Sequence, residues 1–281
     1  MLYIEIIKFL FFSGLIVIIS KYVLVSALRK LAEALDLKAQ TVGDVAGLAT
    51  SVPELLTITT SSLRGLAGAS IYNILSSNII NLVQYLAAIV LNKNGEKLKN
   101  KAIKVDMVIV TITILIPIAL VQMDLEINIF AVPIFILLYM FFRAINNNVH
   151  KLYLKKEDRQ IEEEIENERK VQKKNRKKAT NSILVLLLTG TMLYIVGELL
   201  GNTLENLCNI FNVPEVLVGI LLGFITSIPE LITFFEAQKH GKKTQDEMIG
   251  VIEATNNLLT SNMFNLFIIQ SIGIVLINIL K

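Results

Sequence analysis

Long apolar runs are the feature that most constrains how this chain can fold. Phe9 to Leu28, Leu66 to Leu91 and Val105 to Val121 are each long enough to cross the hydrocarbon core of a bilayer as a helix, since that core is about 30 Å thick and a helix rises about 1.5 Å per residue. Only 18% of the residues are charged, against about 25% in soluble domains. The sequence therefore predicts an all-α membrane protein in contact with lipid, with no nucleic-acid partner.

Hydropathy and loop signals predict about eight transmembrane helices. The first is expected to be a spanning helix and not a cleaved signal peptide, because no small-residue cleavage site follows it. A charged segment separates a first half of five helices (residues 1–143) from a second half of three (181–281), with the linker at 144–180. The predicted spans lie near residues 5–28, 43–62, 66–91, 105–123, 127–143, 181–208, 214–238 and 248–280.

The basic residues indicate the orientation in the membrane. Lys and Arg cluster after the first helix, after the third, in the linker and after the seventh, which are alternate loops. Basic loops stay on the cytoplasmic side. We therefore expect a multi-pass protein of the cell membrane with its amino terminus outside and a cytoplasmic linker. An acidic block followed by a basic block in that linker is typical of a solvated tether.

Two sequence elements occur twice. Gly47 to Leu55 reads G-L-A-T-S-V-P-E-L, and Gly223 to Leu231 reads G-F-I-T-S-I-P-E-L. Asn73 to Asn81 (N-I-L-S-S-N-I-I-N) likewise matches Asn257 to Asn265 (N-L-L-T-S-N-M-F-N). Because an odd number of helices precedes the linker, the second copy should enter the membrane in the opposite sense. This predicts an inverted-repeat helical transporter, in which the substrate site lies near the bilayer midplane.

Glu54 and Glu230 lie near the middle of their predicted spans. An isolated carboxylate there costs several kcal/mol, so each should meet a cation, a proton or a polar cavity. Pro53 and Pro229 precede them and cannot donate to the carbonyls four residues back, which loosens that turn of the helix. Each repeat is therefore expected to offer a carboxylate and bare carbonyl oxygens at one depth.

Hydroxyl and amide side chains surround each glutamate at helical spacing. They add the oxygen ligands that hard cations such as calcium prefer. Such residues also act as packing and hydrogen-bonding groups between membrane helices, but their occurrence in two copies beside a glutamate favours a cation site. The residues are Thr50, Ser51, Ser77 and Asn81 in the first repeat and Thr226, Ser227, Ser261 and Asn265 in the second.

Other polar residues are expected to be uninvolved in the site. Asp44 is expected to be a solvated cap, and His150 and His240 to be solvated in polar loops. The single cysteine, Cys208, cannot form an intrachain disulfide. The sequence holds no H-E-x-x-H or G-x-S-x-G motif, so neither an enzyme nor a prosthetic group is predicted.

The repeated elements resemble the two α-repeats of the cation/calcium exchanger superfamily. Its sodium/calcium exchangers carry G-x-x-x-S-x-P-E and G-S-N-x-x-N in each half. The resemblance implies that Glu54 and Glu230 are the central ligands, that the eight hydroxyl and amide residues flank them, and that the backbone carbonyls of Gly47 and Gly223 join them. It also implies alternating access, in which the first and sixth helices slide past the others.

The chain departs from that family at three points. Ser76 and Thr260 replace the glycine of G-S-N, and Asn265 stands where some members have aspartate. The family usually has ten helices, whereas the chain ends after the third helix of its second half. We therefore expect the seventh and eighth helices to face lipid or a partner, with Gln270 and Asn278 favouring association with a second copy or another membrane protein.

Exchange of calcium for sodium is the leading functional prediction. Two fixed carboxylates balance one divalent ion, two sodium ions or two protons equally well. A calcium (or other cation)/proton exchanger on the same scaffold is therefore an open alternative. A truncated, non-transporting protein that only binds cations is another.

Overall fold

The computed structural model describes residues 2–34, 39–122, 129–153, 176–211, 214–243 and 246–280. Within these ranges the chain is helical and forms no β-strand. Most of the predicted linker, residues 154–175, lies outside them. The helices are α1 (Leu2–Ile19), α2 (Val25–Ala34), α3 (Ala39–Thr50), α4 (Val52–Leu63), α5 (Ala67–Leu91), α6 (Lys101–Gln122), α7 (Ala131–Tyr153), α8 (Arg176–Phe211), α9 (Glu215–Thr226), α10 (Ile228–Lys243), α11 (Glu247–Met263) and α12 (Gln270–Leu280).

Among the described residues, seven helical stretches are long and apolar enough to cross a membrane. The second predicted span, near 43–62, is not among them and corresponds to α3 and α4, which are rich in hydroxyl side chains and interrupted at Ser51. The fifth predicted helix is longer than expected and continues to Tyr153. The seven stretches are Tyr3–Ala27, Gly68–Leu91, Lys101–Leu120, Ala131–His150, Thr180–Leu204, Val216–Lys243 and Glu247–Ile279.

Each repeat contains one broken helix. The backbone leaves regular α-helical geometry at Ser51 (φ −80°, ψ 0°) and at Ser227 (φ −81°, ψ 0°), so the two breaks share one conformation. Pro53 and Pro229 are the second residues of α4 and α10, where a missing N–H leaves no helical hydrogen bond unmade. The prolines thus end one helix and begin the next, as the motif predicts.

The broken helix of each repeat forms a hairpin with the helix that follows it. Residues 64–66 connect α4 to α5, and residues 244–246 connect α10 to α11. Asn73 Nδ2 donates to Thr57 Oγ1 (2.7 Å) across the first hairpin. Asn257 Nδ2 donates to Thr233 Oγ1 (2.5 Å) across the second. Each pair of helices is therefore antiparallel and is closed by equivalent hydrogen bonds.

The two hairpins interlock at glycines. A Cβ atom added at Gly43 would lie 2.5 Å from the Glu253 carbonyl oxygen, and one added at Gly47 would lie 2.6 Å from the Asn257 carbonyl oxygen. Both contacts advance by four residues, so α3 and α11 run in the same direction. Because α11 is antiparallel to α10, α3–α4 and α9–α10 run in opposite directions. The predicted inverted repeat is confirmed.

The equivalent crossing joins α9 to α5. Added Cβ atoms at Gly219 and Gly223 would lie 2.6 Å from the Ala69 carbonyl oxygen and 2.7 Å from the Asn73 carbonyl oxygen. Small residues of this kind allow membrane helices to approach closely. The two crossings bring both repeated motifs to the centre of the molecule.

Helices outside the repeats cover this centre. Ile16, Leu193 and Leu222 join α1, α8 and α9 in one apolar cluster. On the other side, Phe135 of α7 packs edge-on against Phe267, with ring centroids 5.9 Å apart. Elsewhere many large apolar side chains face outward, Leu187 being 65% exposed. A polar centre inside an apolar exterior suits a lipid environment.

The packing of α7 corrects one expectation. Gln270 is only 3% exposed, because α7 and α4 cover the start of α12, so Gln270 is not part of a partner-facing surface. Asn278 donates its amide to the Ile274 carbonyl of its own helix (2.8 Å). The expected exposure of Gln270 is therefore wrong, and the rationale for self-association through it is removed.

Candidate cation-binding site

Two buried carboxylates form the centre of the site. Glu54 and Glu230 are both 0% exposed, and each lies in the first turn of the helix that follows a break. The amino-terminal end of a helix stabilises negative charge. Ser51, three residues before Glu54, has its Oγ 2.9 Å from Ser261 Oγ, and Ser261 in turn contacts Glu230. The breaks therefore bring both predicted carboxylates to a common position inside the protein.

Hydroxyl groups surround the two carboxylates in a symmetric way. Thr226 and Ser77 are neighbours of Glu54, and the equivalent residues, Thr50 and Ser261, are neighbours of Glu230. Ser261 donates to Glu230 Oε1 (3.1 Å). Each glutamate thus faces one hydroxyl from its own repeat and one from the other.

The hydroxyls also connect the two repeats. Ser51 Oγ and Ser261 Oγ are 2.9 Å apart, and Ser77 Oγ lies 3.4 Å from Thr226 Oγ1. Ser77 also donates to the Gly223 carbonyl (3.4 Å), while Ser51 donates to the Gly47 carbonyl (2.9 Å). Both glycine carbonyls therefore lie beside site hydroxyls.

Four asparagines cross-link α5 to α11 and to the π-helical turn that follows α11, Phe264–Ile269. Asn81 Nδ2 donates to Ser261 Oγ (3.4 Å) and to Asn262 Oδ1 (3.2 Å). Asn265 Nδ2 donates to Asn78 Oδ1 (3.3 Å). All four side chains are 0% exposed. Sequence reasoning did not single out Asn78 and Asn262, although both belong to the duplicated S-N-x-x-N element.

Several buried acceptor atoms at the site have no donor. Neither carboxylate oxygen of Glu54 receives a hydrogen bond from any described residue, and a buried oxygen left in this state is costly. No three His, Cys, Asp or Glu side chains of the described ranges come together, so the available ligands are mixed oxygens. The atoms without a donor are Glu54 Oε1 and Oε2, Glu230 Oε2, Asn81 Oδ1, Asn265 Oδ1 and Ser227 Oγ.

Asp44 is not the solvated cap that we expected. It is 8% exposed, and Arg143 binds it with two hydrogen bonds, Nη1 to Oδ1 at 2.8 Å and Nη2 to Oδ2 at 2.5 Å. Thr260 also donates to Asp44 Oδ1 (2.8 Å). Arg143 is the last residue of the predicted fifth span and reaches Asp44 from within α7. Asp44 therefore links α3, α7 and α11, one helical turn before Gly47 in the sequence.

The residues that replace the family's glycines both form hydrogen bonds. Thr260 binds Asp44, and Ser76 donates to the Tyr72 carbonyl (2.7 Å) and the Gly219 carbonyl (3.4 Å). The close approach of the helices is supplied instead by the glycines on the opposite helix. The substitutions thus leave the crossing intact and add polar contacts to it.

The expectation of a solvated loop residue is wrong for His150, and for His240 only the loop is wrong, because its side chain is 48% exposed. His150 is 3% exposed within α7, and its Nε2 lies 2.8 Å from Asp106 Oδ2. His240 lies in the last turn of α10 and not in a loop, with its Nδ1 3.4 Å from Glu253 Oε2. Both histidines pair with buried carboxylates because helices meet where the sequence alone suggested loops.

Two inverted repeats that share one buried, oxygen-rich site define the class of inverted-repeat secondary transporters. The chain matches the sodium/calcium exchanger protein family over residues 6–146 and 181–280. It therefore belongs to that family, as the sequence resemblance predicts.

Solved structures support the same fold. The sodium-calcium exchanger NCX_Mj is 19% identical, with 98% of this chain and 83% of that chain covered and a TM-score of 0.56. The H+/Ca2+ exchanger CAX is 14% identical, with 98% and 68% covered and a TM-score of 0.66. Comparison with curated protein sequences gave no significant match. At these identities the structural similarity establishes the fold alone.

Proposed function

We propose that this protein is a secondary-active antiporter that exchanges calcium for sodium at the buried site between its two repeats. The observation that carries the proposal is the set of buried oxygens without a donor, with Glu54 and Glu230 at its centre. Buried carboxylates persist in membrane proteins where they meet a cation or a proton. A cation bound among these oxygens would satisfy all of them together.

The chemistry of the ligands suits calcium. Calcium accepts roughly six to eight oxygens, drawn from carboxylates, amides, carbonyls, hydroxyls and water. The proposed ligands are Glu54 and Glu230, flanked by Thr50, Ser51, Ser77, Asn81, Thr226, Ser227, Ser261 and Asn265, with the carbonyls of Gly47 and Gly223. In this proposal sodium competes for the same oxygens, and the protein moves ions without an enzymatic step.

Alternating access is proposed to come from α1 and α8. The two helices pack against each other and against the outer faces of α4 and α9, mainly through aliphatic side chains such as Ile16, Leu193 and Leu200. Apolar contacts have no directional requirement, so the helix pair can shift along most of this surface, and the hydrogen bond from Arg64 to Asn202 is a polar contact that such a shift would have to break. The site residues lie on the helices that would stay in place.

The proposed topology has a cytoplasmic linker and an outside amino terminus. Basic loops of both halves meet at one end of the molecule, where Lys242 Nζ donates to Asn92 Oδ1 (2.9 Å) and Lys97 lies 3.8 Å from Glu247. Basic residues mark the cytoplasmic side. This end is therefore proposed to face the cytoplasm.

A calcium/proton exchanger is the second candidate. The H+/Ca2+ exchanger CAX has the same fold, with a TM-score of 0.66, so the scaffold is compatible with proton coupling. Two buried carboxylates can also release protons when calcium binds. The two candidates share every ligand and differ in the ion that drives uptake.

Uptake of calcium into vesicles containing the purified protein separates the candidates. An outward sodium gradient at constant pH should drive uptake if sodium is the coupling ion. An outward proton gradient without sodium should drive it in the second case. Vesicles that respond to neither gradient would contradict exchange and favour a protein that only binds cations.

A further inference from the structure

Asn78 and Asn262 form a reciprocal bridge between the two repeats. Asn78 Nδ2 donates to the backbone carbonyl of Asn262 (3.2 Å), and Asn262 Nδ2 donates to the backbone carbonyl of Asn78 (3.1 Å). Each residue holds the same place in its copy of S-N-x-x-N. The bridge therefore lies on the axis that relates the repeats.

The bridge determines the orientation of its own two amides. A backbone carbonyl oxygen can only accept a hydrogen bond, so each bridging amide must turn its Nδ2 toward the opposite backbone. The Oδ1 atoms then point the other way. Asn78 Oδ1 meets the amide of Asn265 (3.3 Å), and Asn262 Oδ1 meets the amide of Asn81 (3.2 Å).

The same logic fixes the next pair of amides. Since Asn78 Oδ1 and Asn262 Oδ1 only accept, Asn265 and Asn81 must present Nδ2 to them. The Oδ1 atoms of Asn265 and Asn81 are thereby turned away from the bridge, and both are buried with no donor among the described residues. A reversed amide would present NH2 groups, which cannot bind a cation.

We propose that Asn78 and Asn262 are positioning residues that hold the amide oxygens of Asn265 and Asn81 toward the transported cation. Each acts on the asparagine of the opposite repeat, Asn78 on Asn265 and Asn262 on Asn81. Neither residue contacts the cation in this arrangement. The inference rests on the proposed function, since it assumes that a cation binds at the site.

A double-mutant cycle in calcium affinity tests the proposal. Calcium binding is measured by calorimetric titration of the purified full chain in lipid nanodiscs, for Asn78→Ala, Asn265→Ala and the double variant. Each single change should weaken binding about tenfold, the lower end of what residues that orient metal ligands contribute. The double variant should bind no more weakly than Asn265→Ala, because the orientation of a deleted oxygen no longer matters.

The matched control pairs Asn78→Ala with Asn81→Ala. Asn81 is oriented by Asn262. Asn262 donates to the backbone carbonyl of residue 78, so it keeps this hydrogen bond when the side chain of Asn78 is shortened to alanine. The two losses should therefore multiply to about a hundredfold. The proposal would be overturned if the losses of calcium affinity from Asn78→Ala and Asn265→Ala multiplied in the double variant. It would also be overturned if the coupling energy between residues 78 and 265 equalled that between residues 78 and 81.

Two further measurements keep the outcomes distinct. If Asn78→Ala does not give a monodisperse protein with a cooperative thermal transition, the mirrored cycle of Asn262→Ala with Asn81→Ala makes the same test. Multiplying losses there also count against the proposal. A wild-type chain that binds no calcium refutes the proposed function itself, whereas calcium binding with independent losses refutes only the positioning role.

Discussion

Replacement of Gly47 by alanine tests whether the close crossing of α3 and α11 builds the site. The added Cβ would lie 2.6 Å from the Asn257 carbonyl oxygen, 3.0 Å from the Ser261 backbone nitrogen and 3.0 Å from Thr260 Cβ. Ordinary contact begins at 3.4 Å. All three neighbours are backbone atoms or a Cβ, so none can move aside by a change of rotamer.

The size of the effect follows from this geometry. Relief of the shortest contact requires the helices to separate by up to 3.4 − 2.6 = 0.8 Å. Overpacking of this kind costs about 1–3 kcal/mol, against a helix-propensity gain of up to about 1 kcal/mol for glycine to alanine. We expect a net loss of up to about 2 kcal/mol in the free energy of unfolding. Calcium affinity should also fall about tenfold, because Ser261 moves away from Ser51.

Thermal unfolding in detergent and a calcium titration measure the two effects. Gly190→Ala is the matched control, because no atom lies within 4 Å of a Cβ added there and the residue is also inside a membrane helix. It should be neutral or slightly stabilising. If Gly47→Ala matches the Gly190→Ala protein in melting temperature and calcium affinity, the close crossing does not build the site.

Two further predictions concern the Asp44 pair and the topology. Arg143→Gln removes two hydrogen bonds from a largely buried carboxylate, so the free energy of unfolding should fall by about 1–3 kcal/mol. A variant that melts at the same temperature as the wild type at every salt concentration tested would contradict this. In a background lacking the native cysteine, cysteines at Lys97 and Lys174 should be labelled only from the cytoplasm and one at Glu126 only from outside. Labelling of Lys97 and Lys174 from opposite faces would rule out the proposed topology.

The duplicated motif predicted the helix breaks and the place of the two glutamates. A proline before a mid-membrane glutamate has a local effect on backbone geometry, so the break at Ser51 could be read directly from the sequence. Two copies separated by an odd number of helices also determine the antiparallel arrangement. The inverted repeat was therefore predictable from the local effect of proline on the helix and from the number of helices between the two motifs.

The partners of Asp44 and His150 could not be predicted in the same way. Asp44 and Arg143 are 99 residues apart, and His150 lies in the part of α7 that continues past the end assigned from hydropathy at residue 143. Polar residues at the end of that helix were interpreted as the start of the linker. Gln270 is also buried, in a helix that packs against α4 and α7, and no local pattern indicates this.

The glycines at the crossings were present in the sequence as G-x-x-x-G spacings, at Gly43 with Gly47 and at Gly219 with Gly223. The family motif includes only the second glycine of each pair. Their role depends on which helix lies opposite, and that is a property of the assembled hairpins.

A calcium titration of the wild-type chain and of Glu54→Gln, repeated at increasing sodium, tests the central claim most directly. The wild type should bind calcium with an apparent Kd that rises with sodium. Glu54→Gln should lose at least about a hundredfold in affinity, because a divalent ion loses a charged ligand. The variant should nevertheless remain folded and should be no less stable without calcium, because the carboxylate that it removes is buried and has no donor among the described residues. Near-normal calcium binding by Glu54→Gln would contradict the assignment of the site.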